Sequence, residues 1–388
     1  MSDAAKIAAP AGRWRAIVRV ELGAGGDRIA GVQFLRGIAA FGVVAEHLFE
    51  RYAKRGFLEG VELPTFATHL GETGVFAFFA ISGFIMVYIT ARQGGREPTA
   101  AGFLVSRILR VAPLYYLTTV LIVAFGWATQ PLSTNATFRF PSLSQWLLSF
   151  AFIPHRGSNG LLQPVYSLGW TLHYEMFFYG LIALGLAFRR AGGLAAVLLV
   201  LCALTAIGAF LEEPASSYGL EVIVYAWTRP VMLYFVVGMI IALLRAKLAG
   251  RLPNAPLPII AAVALVALLA ASALPGYALK LAGISAALAA TVLIEPRDCT
   301  RTWGLAAFAR AMGDASYSIY LTHSFFLGAF ALATGSLVAS GGGPMLAPLA
   351  LLACLGCLVA GWLVWRFVER PIIDRLRGRR TPQVRSAP

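Results

Sequence analysis

An arginine and a histidine, Arg36 and His47, stand eleven positions apart in the apolar run FLRGIAAFGVVAEHLFE. On a helix, that spacing is about 1100° of rotation and about 16 Å of rise, so the two side chains share one stripe to within about 20°. An ionisable group in such a run is costly unless it meets a partner or a wet cavity, which makes each a functional candidate. A guanidinium grips anions, and an imidazole takes and gives a proton near neutral pH. The plain alternative is that Arg36 snorkels towards one interface and His47 marks the other. Glu50, one turn beyond His47, either orients its ring or is an interfacial carboxylate.

Other runs carry similar candidates. In SLGWTLHYEMFFYG, Thr171 and Glu175 are i, i+4 neighbours with Trp170 and Tyr174 beside them, either a hydrogen-bonding site or a solvated carboxylate among aromatics. His173 points about 160° away from Glu175 and reads as packing. In FLVSRILRVAPLYYL, Arg107 and Arg110 are spaced i, i+3 ahead of an apolar run. Such a pair is either a positive anchor at the inner boundary or a phosphate clamp, because guanidinium groups bind phosphate through paired hydrogen bonds. GDASYSIYLTHSFF has Asp314 near its start and His323 deep in apolar sequence, with Tyr320 at i−3 as a possible partner for the ring. Glu369 and Arg370 in FVERPI read as a helix stop and an interfacial ion pair before Pro371.

The elements that must hold these residues are set by composition. The 388-residue chain is 59% hydrophobic and only 13% charged, with a net charge of +14 and a mean hydropathy of +0.74. A water-soluble surface cannot be built from so little polar material, so the expected class is an all-α polytopic membrane protein. Runs long enough to cross about 30 Å of hydrocarbon lie near 31–50, 71–91, 111–128, 168–188, 192–211, 229–246, 257–274, 278–295, 315–338 and 345–368. Ten spans with both termini cytoplasmic place 24 of the 32 basic residues on inner segments, as the positive-inside rule requires. The high charge is then chiefly a record of orientation, not the clustered basic stripe of a nucleic-acid binder.

Residues 141–153 are apolar but short, which predicts an interfacial or re-entrant piece, and the outer loop 129–167 is long enough to cover a substrate cleft. Residues 1–30 form a basic N-terminal segment whose stretch 13–22 can lie along the inner membrane surface. Residues 374–388 form a basic tail, leaving 31–373 as the membrane domain. Cys202, Cys299, Cys354 and Cys357 show no metal-ligand pattern and no disulfide framework.

Taken together, R-x10-H at Arg36 and His47, FFAISGF around Ser82, RILRVAPLY, GWTLHYEMFFY, GDASYSIYLTH and the terminal FVERPI resemble the membrane acyltransferase-3 family, in the family's order and over nearly the whole chain. The W-T-L-x-Y-E form is similar to the branch that acetylates bacterial exopolysaccharides. The resemblance implies an O-acyltransferase of the bacterial inner membrane, with acetyl-CoA as donor, no tightly bound cofactor and no metal. It also implies a polysaccharide or lipid-linked oligosaccharide acceptor. His47, Arg36 and Glu175 are then the catalytic candidates, with Glu175 orienting His47 or holding the acceptor hydroxyl. Arg107, Arg110 and Ser82 would hold the donor, and Trp170, Tyr174 and His323 the acceptor. His47 acts either as a base on the acceptor hydroxyl or as a transient carrier of the acyl group. The competing expectation is a proton-coupled carrier, for which a buried Arg/His/Glu set would also serve, although the two halves show no repeat.

Overall fold

The computed structural model describes residues 30–91, 99–129, 139–157, 159–188, 192–297, 303–341 and 343–376. The surface helix expected at 13–22, the basic tail beyond 376, and Cys299 lie outside the described residues.

The chain is all-α. In order it forms α1 (Ala30–Lys54), α2 (Leu70–Ala91), α3 (Ala100–Thr129), α4 (Leu143–Phe150), α5 (Trp170–Ala187), α6 (Gly192–Gly208), α7 (Leu220–Trp227) and α8 (Met232–Lys247). These are followed by α9 (Leu257–Ala273), α10 (Tyr277–Leu293), α11 (Trp303–Gly341), α12 (Leu346–Val364) and α13 (Arg370–Leu376). The one sheet among the described residues is a parallel pair, β1 (Asn254–Pro256) with β2 (Glu295–Arg297), in the register Asn254 to Glu295. Pro256 and Pro296 remove donors from the pair. It ties the chain entering α9 to the chain leaving α10.

A helix occupies each of the ten apolar runs, but length divides them. Five are long and apolar enough to cross a bilayer, and α7 with α8, bent by 43° at their junction, makes a sixth if the pair counts as one. Helices α6, α9 and α10 have 17 residues each, about 25 Å of rise against about 30 Å of hydrocarbon. Two helices begin earlier than their apolar runs. α3 starts at Ala100 instead of near 111, and α11 at Trp303 instead of near 315. Arg107, Arg110 and Asp314 are therefore inside helices and not on the approaches to them. Residues 143–150 form the short α4, with a reciprocal capping box between Ser142 and Gln145.

Helix α1 serves two cores. Val32, Leu35, Ala39 and Val43 face α2 and its neighbours, while Ala40, Val44, Leu48 and Tyr52 face α11 and α12. Each set repeats at three- to four-residue intervals, so one helix carries two apolar stripes. The buried Cys354 and Cys357 of α12 belong to the second core, and both are free thiols. Arg36 bonds Ser316, His47 meets His323, and Tyr52 bonds Thr334. Both series of numbers rise together, so α1 and α11 run parallel.

Helix α2 is apolar all round and lies at the centre, crossing α8 backbone to backbone. A Cβ on Gly83 would collide with the carbonyl of Phe235, and one on Gly238 with that of Ala80. The contact fixes the turn that carries Ser82. We expect Gly238→Val to separate the two helices and lower stability by about 1–3 kcal/mol, read as a reduced thermal midpoint in detergent. An unchanged midpoint would mean that the helices tolerate separation here.

Candidate active site

The five helices α1, α2, α3, α5 and α11 line a cavity whose empty space, open solvent at its mouth included, is about 780 Å³. Arg36 of α1 enters it, as do Arg107, Arg110 and Val111 of α3 and Ser316, Tyr317 and Tyr320 of α11. Phe78, Phe79, Ile81, Ile85 and Met86 of α2 form an apolar wall, and Ser82 on the same helix adds a hydroxyl. From α5 come Thr171, Leu172, Glu175 and Tyr179, one stripe at helical spacing.

The polar groups of the cavity hold one another. Arg36 donates from Nε to Ser316 Oγ at 3.2 Å, and Ser316 donates in turn to the Gly313 carbonyl at 2.9 Å. Glu175 Oε1 accepts from Ser82 at 3.2 Å and also from the Tyr179 hydroxyl. The Arg107 guanidinium, only 1% exposed, stands 5.3 Å from the Phe103 ring centre and 5.6 Å from that of Tyr179, within cation–π range. A membrane anchor would keep its charge in water. Arg107 is instead folded onto aromatic faces at the cavity wall, where three arginines face a single lining carboxylate.

The histidines sit beyond this cavity. His47 Nδ1 and His323 Nε2 are 2.7 Å apart, and His323 Nδ1 contacts the Ile319 carbonyl at 3.2 Å. Tyr320, one turn before His323, lines the cavity, with its ring centre 6.1 Å from that of His323. Its hydroxyl donates to the Leu168 carbonyl at 3.0 Å and lies 3.2 Å from Thr171 Oγ1. Tyr320 thus separates the arginine-lined chamber from the imidazole pair. The Tyr166 hydroxyl donates to the Leu321 carbonyl at 2.6 Å, which brings the described end of the long loop 129–167 onto α11. Arg156 fastens that loop to the segment before α7 through Glu213 at 2.7 Å and the Ser216 carbonyl at 3.1 Å.

Several expected partnerships differ. Glu175 does not reach His47, because its carboxylate is held by Ser82 and Tyr179. Nor does Glu50, whose partner is Lys54 at 3.0 Å. Thr171 turns to Tyr320 and not to Glu175. Trp170 and Tyr174 stand behind Phe79, at 6.3 and 6.0 Å between ring centres. Each precedes a lining residue by one position and so points about 100° away from the cavity. His323 is 1% exposed with both ring nitrogens engaged, which leaves it no atom for an acceptor sugar. Its partner is His47, not Tyr320. His173 is buried with its ring centre 6.0 Å from that of His155, as a packing residue would be.

Glu369 is the residue that sequence reading placed worst. It is 5% exposed and accepts from the buried Ser318 hydroxyl. It lies within electrostatic reach of Arg110 and Arg36, while Arg370 pairs with Asp374 at 3.9 Å. Ser316 and Tyr179 were also missed. Tyr179 had a signal, since it stands at i+4 from Glu175; Ser316 had none.

A family profile described as an acyltransferase domain matches residues 29–366. The exopolysaccharide production protein ExoZ of Rhizobium meliloti (strain 1021) is 35% identical over 320 residues, covering 80% of this chain and 92% of that protein. The acyltransferase MdmB of Streptomyces mycarofaciens is 26% identical over 392 residues, covering 93% and 95% of the two chains. The peptidoglycan O-acetyltransferase OatA of Listeria monocytogenes is 27% identical over 158 residues, 39% of this chain and 23% of that protein. No solved structure matches.

Proposed function

This chain belongs to the acyltransferase-3 family of membrane O-acyltransferases, and from that premise we propose that it moves an acyl group, acetyl first of all, from cytoplasmic acyl-CoA to a hydroxyl of an exopolysaccharide or its lipid-linked precursor. The observation that carries this reading is the sequence of environments along α1 and α11: a chamber lined by three arginines, then Tyr320, then an imidazole pair. Coenzyme A is a polyanion with an amide-rich arm ending in the thioester. Arg36, Arg107 and Arg110 would hold its phosphates, and Glu175, fixed by Ser82 and Tyr179, would accept N–H groups of the arm.

The acyl carbonyl then lies at the Tyr320 end, within reach of His47. The acceptor hydroxyl gives its proton to His47 Nε2 as its oxygen attacks the thioester carbon. Collapse of the tetrahedral intermediate breaks the carbon–sulfur bond, and the leaving thiolate takes the proton that His47 accepted, which returns the imidazole to its neutral form. The products are the ester and free coenzyme A.

For the membrane arrangement we propose ten crossings of the bacterial inner membrane with both termini cytoplasmic. The parallel course of α1 and α11 supports it, because a chain that crosses and recrosses must make an odd number of crossings between two parallel spans. As first and ninth spans they meet that condition. Counting only the five longest helices would make α11 the fourth, running antiparallel to α1, whereas adding the bent α7–α8 pair makes it the fifth and again parallel.

The test is purified protein in liposomes given acetyl-CoA and a deacetylated exopolysaccharide fragment. We expect acceptor-dependent release of free thiol and an O-acetyl mass increment on the glycan. Movement of the glycan across the bilayer without thiol release would overturn the proposal in favour of a carrier.

A further inference from the structure

Neutral histidine exists as two tautomers, and which nitrogen bears the proton is set by what the other one touches. The contacts of His323 decide this for two rings at once. A backbone carbonyl can only accept, so the 3.2 Å contact with the Ile319 oxygen places a proton on His323 Nδ1. His323 is 1% exposed, and no carboxylate is bonded to either ring among the described residues. The neighbouring Arg51 donates to the Ser324 carbonyl at 3.1 Å, and Glu50 is taken by Lys54. A charged His323 would therefore be buried beside a guanidinium without a counterion, which is strongly unfavourable. In the neutral ring its Nε2 holds a lone pair, and at 2.7 Å that lone pair requires a donor on the other side.

The donor is His47 Nδ1–H. The two ring planes differ by only 9°, with centres 5.0 Å apart. One ring radius on each side of the 2.7 Å contact accounts for that separation, so the rings lie end to end in a common plane and not face to face. This is the arrangement in which an N–H points along its partner's lone pair. His47 Nε2 has no hydrogen-bond partner among the described residues.

We propose that His323 is a positioning residue that fixes the tautomer of His47, in a chain running from the Ile319 carbonyl through His323 to His47, so that the Nε2 lone pair of His47 is the one presented to the acceptor hydroxyl. The proposal rests on the reading of His47 as the base. When His47 gains the substrate proton at Nε2, its Nδ1–H remains bonded to His323 Nε2, and no proton has to leave the pair during the attack. His323 touches neither substrate.

The test compares wild type, His323→Gln, His323→Met and His47→Ala in liposomes, with kcat and the KM for acetyl-CoA measured separately. Gln keeps an acceptor near the position of Nε2, whereas Met fills similar space without a strong one. We expect His323→Gln to retain kcat within about threefold and His323→Met to lose about 10²-fold in kcat at unchanged KM, since a mis-set tautomer acts on the chemical step alone. Equal kcat in Gln and Met variants of equal thermal stability would overturn the proposal. If both variants misfold, the wild type decides. With imidazole nitrogens labelled, a chain of five histidines should show one nitrogen–nitrogen coupling, between His47 Nδ1 and His323 Nε2. Absence of that coupling in folded protein would also overturn it. Full activity in His47→Ala is the separate outcome in which the reading of the base fails.

Discussion

His47→Ala lowers kcat for glycan O-acetylation by about 10³-fold or more, within the range that a lost general base commands. The imidazole is a half-buried proton acceptor just past the cavity wall, and alanine has no group to replace it. The fold should survive, because the α1–α11 contact keeps its rungs at Arg36–Ser316, 3.2 Å, and Tyr52–Thr334, 2.6 Å. KM for acetyl-CoA should change little, since the arginines are untouched. The comparison is acetyl content of the glycan by mass spectrometry in cells carrying equal amounts of membrane-inserted wild-type and variant protein. Unchanged acetylation would remove His47 from the mechanism.

Arg107→Met raises the KM for acetyl-CoA by about 10²-fold, as expected when one partner of a desolvated charge contact is removed, with a smaller effect on kcat. The guanidinium is held by the Phe103 and Tyr179 faces, so its fork is aimed before the donor arrives. Arg107→Lys should recover little of the affinity, because an ammonium has neither the planar stacking surface nor the paired donors. Isothermal titration of purified protein with coenzyme A measures the effect directly. If Arg107 were instead a topological anchor, donor affinity would be retained and the protein would insert poorly or in the wrong orientation.

Much of this site is visible in the sequence, and what is hidden has identifiable causes. Arg36 and His47 are adjacent in register on one helix, so helical geometry alone aligns them. The Arg107/Arg110 spacing is likewise local. Hydropathy, however, marks where lipid-facing sequence begins, and charges facing a protein cavity fall outside it; α3 and α11 therefore start well before their apolar runs. Glu175 was given the wrong i, i+4 neighbour, because Tyr179 and Thr171 are equally spaced from it and only the packing of α5 on α2 chooses between them. The pairing of His47 with His323 joins residues far apart in the chain, which no local pattern encodes. Glu369 was misread because of one backbone feature. Residues Trp365–Glu369 form a π-helical turn in which the Arg370 N–H reaches back to the Trp365 carbonyl. The chain stays helical through that turn into α13 instead of stopping before Pro371, so Glu369 lies within the packed helix and not at its end.

The parallel rungs between α1 and α11 also bear on how an acyl group could pass through such a protein. A carrier that rocks needs its two sides to separate alternately. Here the helix bearing the guanidinium of Arg36 also bears the imidazole of His47, and the helix facing it supplies a partner to each, Ser316 and His323. Lengthening the 2.7 Å nitrogen contact by a single ångström would take it beyond hydrogen-bonding range. The pair is therefore a fixed ruler. In the proposed reaction, what would travel along it is the flexible thiol arm of the donor, while the protein holds still.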